Sequence, residues 1–134
     1  MQALDRAGAG EPGDARAPTV VRRASDADDS ERLLCAACAH PITSARARRE
    51  VGGAHAHTFM NPAGLVFHIG CFAEAPGCTE LGAPSTEWSW FPGAAWRIAL
   101  CASCRTHVGW SFESGAAESG RFWGLILDRL VGEA

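Results

Sequence analysis

The sequence predicts a mostly β domain built from antiparallel strands. Three observations carry that expectation. Short apolar runs, LVFHIGCF at 65–72, WRIAL at 96–100, HVGWSF at 107–112 and FWGLI at 122–126, recur along the chain, and runs of about four to eight such residues between turns read as strands. Turn chemistry separates them: NPAG at 61–64 and FPGA at 91–94 combine a proline that fixes φ with a glycine that supplies positive φ. Two Cys-x-x-Cys pairs then offer a staple, which a chain of 134 residues needs because so small a domain buries only a modest core.

Residues 1–31 are rich in Ala, Gly, Pro, Asp and Arg and nearly free of large apolar side chains. Such a segment cannot bury enough surface to offset its ordering entropy, so a disordered tail is expected there and a single folded domain over 32–134. Helical possibilities are confined to ITSARARRE (42–50) and FWGLILDRLVGEA (122–134). In the second, Phe122, Ile126 and Leu130 fall at i, i+4 and i+8, a spacing that leaves its type open. No internal repeat is visible.

The 12 basic residues are all arginine, scattered along the chain, and the net charge is -3 with a pI near 5.9. That pattern argues against a nucleic-acid or anionic-membrane surface. No run approaches the roughly 18–20 apolar residues of a membrane span, and the N-terminus lacks a basic-then-apolar leader, so a cytoplasmic protein is expected. In a reducing compartment, paired cysteines hold metal rather than disulfides.

Cys35, Cys38, Cys101 and Cys104 form two Cys-x-x-Cys knuckles with 62 residues between them. Four thiolates match the closed tetrahedron of one structural Zn²⁺, which would clip the start of the domain to its far half. A catalytic zinc keeps a position open for water, and four cysteines leave none, so no enzyme is expected. Cys71 and Cys78 read as buried small hydrophobes. His55 and His57 lack a third ligand and read as polar loop contacts.

The chain has five tryptophans and no tyrosine, and four of the five lie between residues 86 and 110. On an extended segment Trp88 and Trp90 share a face, and the second knuckle returns the strand bearing Trp110 against the segment bearing Trp90 and Trp96. Phe112, two residues on, joins Trp110. Tryptophan is an uneconomical core filler because its indole N–H needs a partner, so these rings read as the walls of a pocket, with core filling as the alternative. Phe122 and Trp123 are assigned to the core.

The stretch APSTEWSWFPGAAWRIALCASCRTHVGWSF, preceded by NPAG and followed by FWGLI, closely resembles the CULT domain, the thalidomide-binding domain of cereblon, in its stand-alone bacterial form. The resemblance runs from about Leu34 to the C-terminus. It implies a β-tent fold of two antiparallel sheets set at an angle and pinned by the Cys₄ zinc. It also implies a cyclic-imide ligand, with Trp90, Trp96 and Trp110 caging a glutarimide ring over Phe112. The imide edge would pair with backbone groups of the Trp88–Ser89–Trp90 segment. Asn61 would sit near the pocket mouth and Glu87 at its rim. Trp88 stands where vertebrate cereblons carry histidine, which alters one hydrogen bond at the cage.

The implied partners are small cyclic imides, or protein C-termini whose Asn or Gln has cyclised. The ubiquitin-ligase role of eukaryotic cereblon, with its adaptor, is not carried over. Two other functions remain open. An aromatic cage also suits a methylated ammonium group. The fold also resembles that of B-type methionine sulfoxide reductases, but these need a nucleophilic cysteine on a late strand, and no cysteine follows Cys104.

Overall fold

The computed structural model describes residues 22–23, 31–115 and 120–133. Most of the expected tail, 1–31, therefore lies outside the described residues. Ten strands are described: β1 (Arg22–Arg23), β2 (Arg32–Cys35), β3 (Pro41–Ser44), β4 (Ala56–Met60), β5 (Val66–Phe72), β6 (Cys78–Ser85), β7 (Ala94–Cys101), β8 (His107–Ser114), β9 (Arg121–Ile126) and β10 (Leu130–Gly132). They form a four-stranded sheet in the order β1-β10-β2-β3 and a six-stranded sheet in the order β4-β5-β9-β8-β7-β6. All pairings are antiparallel, as the sequence predicts.

Both segments with helical possibilities fold otherwise. In 42–50, β3 is followed by a single 3₁₀ turn, Ala45–Ala47. Ile42 and Thr43 are β-branched and buried, and the Thr43 hydroxyl donates to the Glu74 carbonyl at 2.7 Å, so pairing outweighs local helix formation. In 122–134, β9 ends in a 3₁₀ turn, Leu127–Arg129, and the chain crosses to the other sheet as β10. Phe122 and Ile126 are four apart, which places them on one face of a strand as well as of a helix. Leu130 is buried in the second sheet, beyond the turn.

The inner strands β5, β8 and β9 of the six-stranded sheet bury both of their faces. On one, Phe72, Ala99, Trp123 and Leu125 pack against Leu33, Cys35, Ile42 and Leu130 of the smaller sheet. On the other, Phe67, Ile69, Cys71, Trp110, Phe112, Phe122 and Ile126 form a second core, covered by Trp90 and Phe91. Register sets this second face: Trp96 lies opposite Phe112 and Ile98 opposite Trp110 across β7–β8, while Gly124 lies opposite Trp110 across β8–β9. A Cβ on Gly124 would stand 2.9 Å from Ile69 Cδ1 and 3.0 Å from Phe112 Cε2, so glycine there makes room for the neighbouring rings.

Behind the aromatic face, one carboxylate joins four strands. Glu80 of β6 accepts the Ser111 hydroxyl of β8 at 2.6 Å and pairs with Arg121 of β9 at 2.7 Å and Arg97 of β7 at 3.3 Å. Partial burial pushes the Glu80 carboxyl up. The Ser111 hydroxyl and the two guanidinium groups outweigh that and hold it below the ordinary carboxylate value.

Candidate functional site

The two cysteine knuckles repeat one local structure. Cys35 N–H donates to the His40 carbonyl and Ala39 N–H to the Cys35 carbonyl, at 2.8 and 2.7 Å. Cys101 N–H donates to Thr106 and Arg105 N–H to Cys101, both at 2.8 Å. Ala39 and Arg105, each directly after a second cysteine, adopt φ of 68°. A side chain there costs about 1–2 kcal/mol, so both knuckles accept strain to bring two sulfurs to one side of the turn.

The four sulfurs converge within 4.8 Å of one another. Cys35 Sγ lies 3.8 Å from Cys104 Sγ, and Cys38 Sγ 3.7 Å from Cys101 Sγ, so each close pair joins the two knuckles. Cys35 and Cys101 are buried, while Cys38 and Cys104 face solvent. The two buried thiols resist ionisation: burial pushes Cys35 up to about 12 and raises Cys101 as well. Burial opposes ionisation at Cys104 too, but the hydroxyl and amide of Thr106 prevail and bring it down to about 7. A soft cation offsets the cost of ionising the buried thiols, and four sulfur donors at this spacing can hold one metal ion.

The aromatic cluster stands on the opposite face of the large sheet from the smaller sheet. Trp110 and Phe112 are fully buried, and Trp90 and Trp96 are partly buried. Trp90 meets Trp110 edge-on with centroids 4.8 Å apart and donates its indole N–H to the Met60 carbonyl at 3.2 Å. Trp96 donates to the Glu87 carbonyl at 2.8 Å. Phe112 packs against Phe91 at 4.9 Å and Phe122 at 5.1 Å. Two buried donors, Trp110 Nε1 and Asn61 Nδ2, have no hydrogen-bond acceptor among the described residues.

Between β6 and β7 the chain turns sharply. Ser89 N–H donates to the Thr86 carbonyl, the Ser89 hydroxyl bonds the carbonyl and amide of Phe91, and Glu87 N–H donates to the Ser85 hydroxyl. Trp88 sits in this turn with φ of 60° and is 62% exposed, so it does not share a face with Trp90. The left-handed residue interrupts the extended backbone that a shared face requires. Asn61 also stabilises a turn: its side-chain oxygen accepts the amides of Ala63 and Leu65 at 2.9 and 2.8 Å.

The chain is 40% identical over 75 residues to protein cereblon of Danio rerio, and 39% identical over 75 residues to that of Gallus gallus. In both cases 54% of the chain is matched, but it spans only 17% of the relative. Over 33 residues, 25% of the chain and 5% of the relative, it is 58% identical to protein cereblon of Drosophila virilis. The C-terminal region is a cereblon-like domain. No family model matches the chain.

Several residues of this cereblon-like domain border the tryptophans without having been marked by the sequence. Phe59 stacks on Trp90 at 4.9 Å with rings 13° apart, Phe67 meets Trp110 edge-on at 5.2 Å, and His107 does so at 4.8 Å. Phe59 and Phe67 are register partners across the β4–β5 hairpin. The one available signal was their placement on either side of NPAG. The histidines of the H-x-H separate: His57 Nε2 bridges the carbonyls of Val51 and Ala54, whereas both His55 ring nitrogens are buried without a well-formed hydrogen bond among the described residues. Cys71 is buried and Cys78 partly so, and burial pushes both thiols up to about 12. Among the described residues no helix is long and apolar enough to cross a membrane.

Proposed function

We propose that this cereblon-like domain carries one structural Zn²⁺ in its four-cysteine site and binds small cyclic imides against Trp90, Trp96 and Trp110. The observation that carries the reading is the pair of acceptor-less buried donors, Trp110 Nε1 and Asn61 Nδ2. Trp110 touches Trp90 by direct ring contact, and Asn61 directly follows Met60, whose carbonyl accepts the Trp90 indole N–H. A buried unpaired donor costs about 1–3 kcal/mol, and a ligand bearing acceptors recovers it. A cyclic imide presents two carbonyl acceptors beside an apolar methylene edge that indole walls cover. A methylated ammonium group presents no acceptor, so these donors favour the imide.

Zinc suits four thiolates with no open position, and a closed site leaves the metal structural rather than catalytic. The domain thus acts as a cytoplasmic binding module rather than an enzyme, and its partners are imide metabolites or cyclised C-terminal Asn and Gln of proteins. A glutarimide ring of about eight non-hydrogen atoms, at about 0.3–1.5 kcal/mol each, gives micromolar binding as the middle of the range.

The test is a titration of zinc-loaded protein with glutarimide, N-methylglutarimide and trimethyl-lysine, followed by tryptophan fluorescence. Micromolar binding of glutarimide, weakened at least fivefold in Trp110→Phe, supports the reading. The variant keeps a ring and removes the indole donor. Tighter binding of trimethyl-lysine, or no binding of any of the three, sinks it.

A further inference from the structure

We infer that Cys78 is a fifth thiol of the metal centre, placed to replace Cys101 as the fourth sulfur ligand. Cys78 and Cys101 are direct register partners across β6–β7, so their side chains leave the same face of the sheet. The ladder fixes their spacing. Ala102 N–H donates to the Gly77 carbonyl at 2.9 Å, a bond between the residues flanking the pair. This makes Cys78–Cys101 a non-hydrogen-bonded antiparallel pair, the kind with Cα atoms about 4.5 Å apart and side chains in closest approach.

The start of β6 is also held against the first knuckle's hairpin. Gly77 N–H donates to the Ile42 carbonyl at 3.0 Å, and a Cβ on Gly77 would lie 2.7 Å from Ile42 Cα, so only glycine allows this approach of β6 to β3. Gly77 therefore bonds the β2–β3 hairpin through its amide and the second knuckle through its carbonyl. Cys78 follows it at the seam between the two knuckles and packs against the core cluster that contains Cys35 and Cys101. Zinc binds any four convergent thiolates without a geometric preference beyond the tetrahedron. When Cys101 detaches, a neighbouring thiol on the same face can take the fourth position before a competing chelator does. The inference rests on the metal site proposed above and is independent of the imide reading.

Co²⁺-loaded protein gives the readout, because the intensity of the thiolate-to-cobalt charge-transfer band follows the number of sulfur ligands. Cys101→Ser is expected to keep the four-thiolate intensity, and Cys101→Ser/Cys78→Ser to fall by about a quarter, as Cys104→Ser does alone. Equal three-thiolate spectra for Cys101→Ser and the double variant overturn the inference. Should Cys101→Ser fail to fold, the Cys78→Ser variant decides, since it keeps all four ligands of the native set. It is expected to lose Zn²⁺ to excess EDTA several-fold faster than the wild type, and equal rates overturn the proposal.

Discussion

The indole N–H of Trp96 donates to the carbonyl oxygen of Glu87 at 2.8 Å, so a side chain on β7 fixes the backbone of the turn that carries Trp88 and Trp90. Trp90 is tied in turn to Met60 on β4. The aromatic cluster is thus assembled from three separate parts of the chain, and two of its indole donors are spent on holding those parts in place rather than on a ligand.

Trp96→Phe keeps an aromatic ring and removes that bond. A net loss of about 1 kcal/mol is expected, concentrated in the 86–91 turn. Amide exchange at Ser89, whose N–H bonds Thr86 within the turn, should quicken about fivefold while exchange in β5 and β9 stays unchanged. A uniform change across all strands would show that Trp96 acts as general core instead.

Metal removal should have a far larger effect. The four cysteines join the β2–β3 hairpin to the β7–β8 hairpin across 62 residues of chain. Structural zinc in small peptides binds with about 10–16 kcal/mol, comparable to the roughly 5–15 kcal/mol total stability of a domain. Chelation at neutral pH is expected to abolish the near-ultraviolet circular dichroism of the tryptophans. A metal-free protein that keeps that signal and its thermal midpoint would show the two cores holding the sheets together unaided.

His55 should make the fold acid-sensitive. Among the described residues its ring nitrogens are buried without a well-formed hydrogen bond, and its ring lies edge-on to Phe72 at 5.2 Å. Burial is the main cause that lowers its pKa below the ordinary 6.5, and it outweighs the backbone groups of Arg49 and Cys71, which favour the charged ring. The folded state therefore favours the neutral ring. Its contribution to stability is present above about pH 6.5 and is lost as pH falls from there through the lower folded value. Urea midpoints of wild type and His55→Phe at pH 7.5 and 5.0 check this, because subtracting the variant removes the acid sensitivity of the cysteine site. The wild type should lose more stability than the variant, and equal losses would refute the assignment.

The parts of this molecule legible in its sequence are those that depend on local pattern. Strands β5, β7, β8 and β9 coincide with apolar runs between Gly and Pro turns, and the metal quartet is declared by spacing alone. Trp110 and Phe112 share a face because strands have a period of two. What escaped depends on tertiary pairing: the spacing of the tail leaves β10 open between helix and strand until it docks beside β2, and Phe59 and Phe67 reach the tryptophans only through the β4–β5 hairpin. The left-handed backbone of Trp88 is unreadable because residues other than glycine rarely adopt it, so its own identity gives no warning.

Glu80 was likewise invisible in sequence, since its partners come from three other strands. Its carboxylate carries the only negative charge among the four groups it joins with Ser111, Arg97 and Arg121. Glu80→Gln keeps an oxygen for the Ser111 hydroxyl and removes the charge. The guanidinium groups are partly exposed, 35% for Arg97 and 41% for Arg121, so solvent screens the loss. A destabilisation of about 1–2 kcal/mol is expected from urea unfolding at pH 7. Because the folded carboxyl titrates below its ordinary value of 4.5, this contribution is present above pH 4.5 and fades as pH drops through the folded value. Wild type and variant should therefore converge as pH falls below the folded value, and in high salt. A gap that persists in both conditions would mean that Glu80 acts through packing, and that its charge contributes nothing to holding the four strands together.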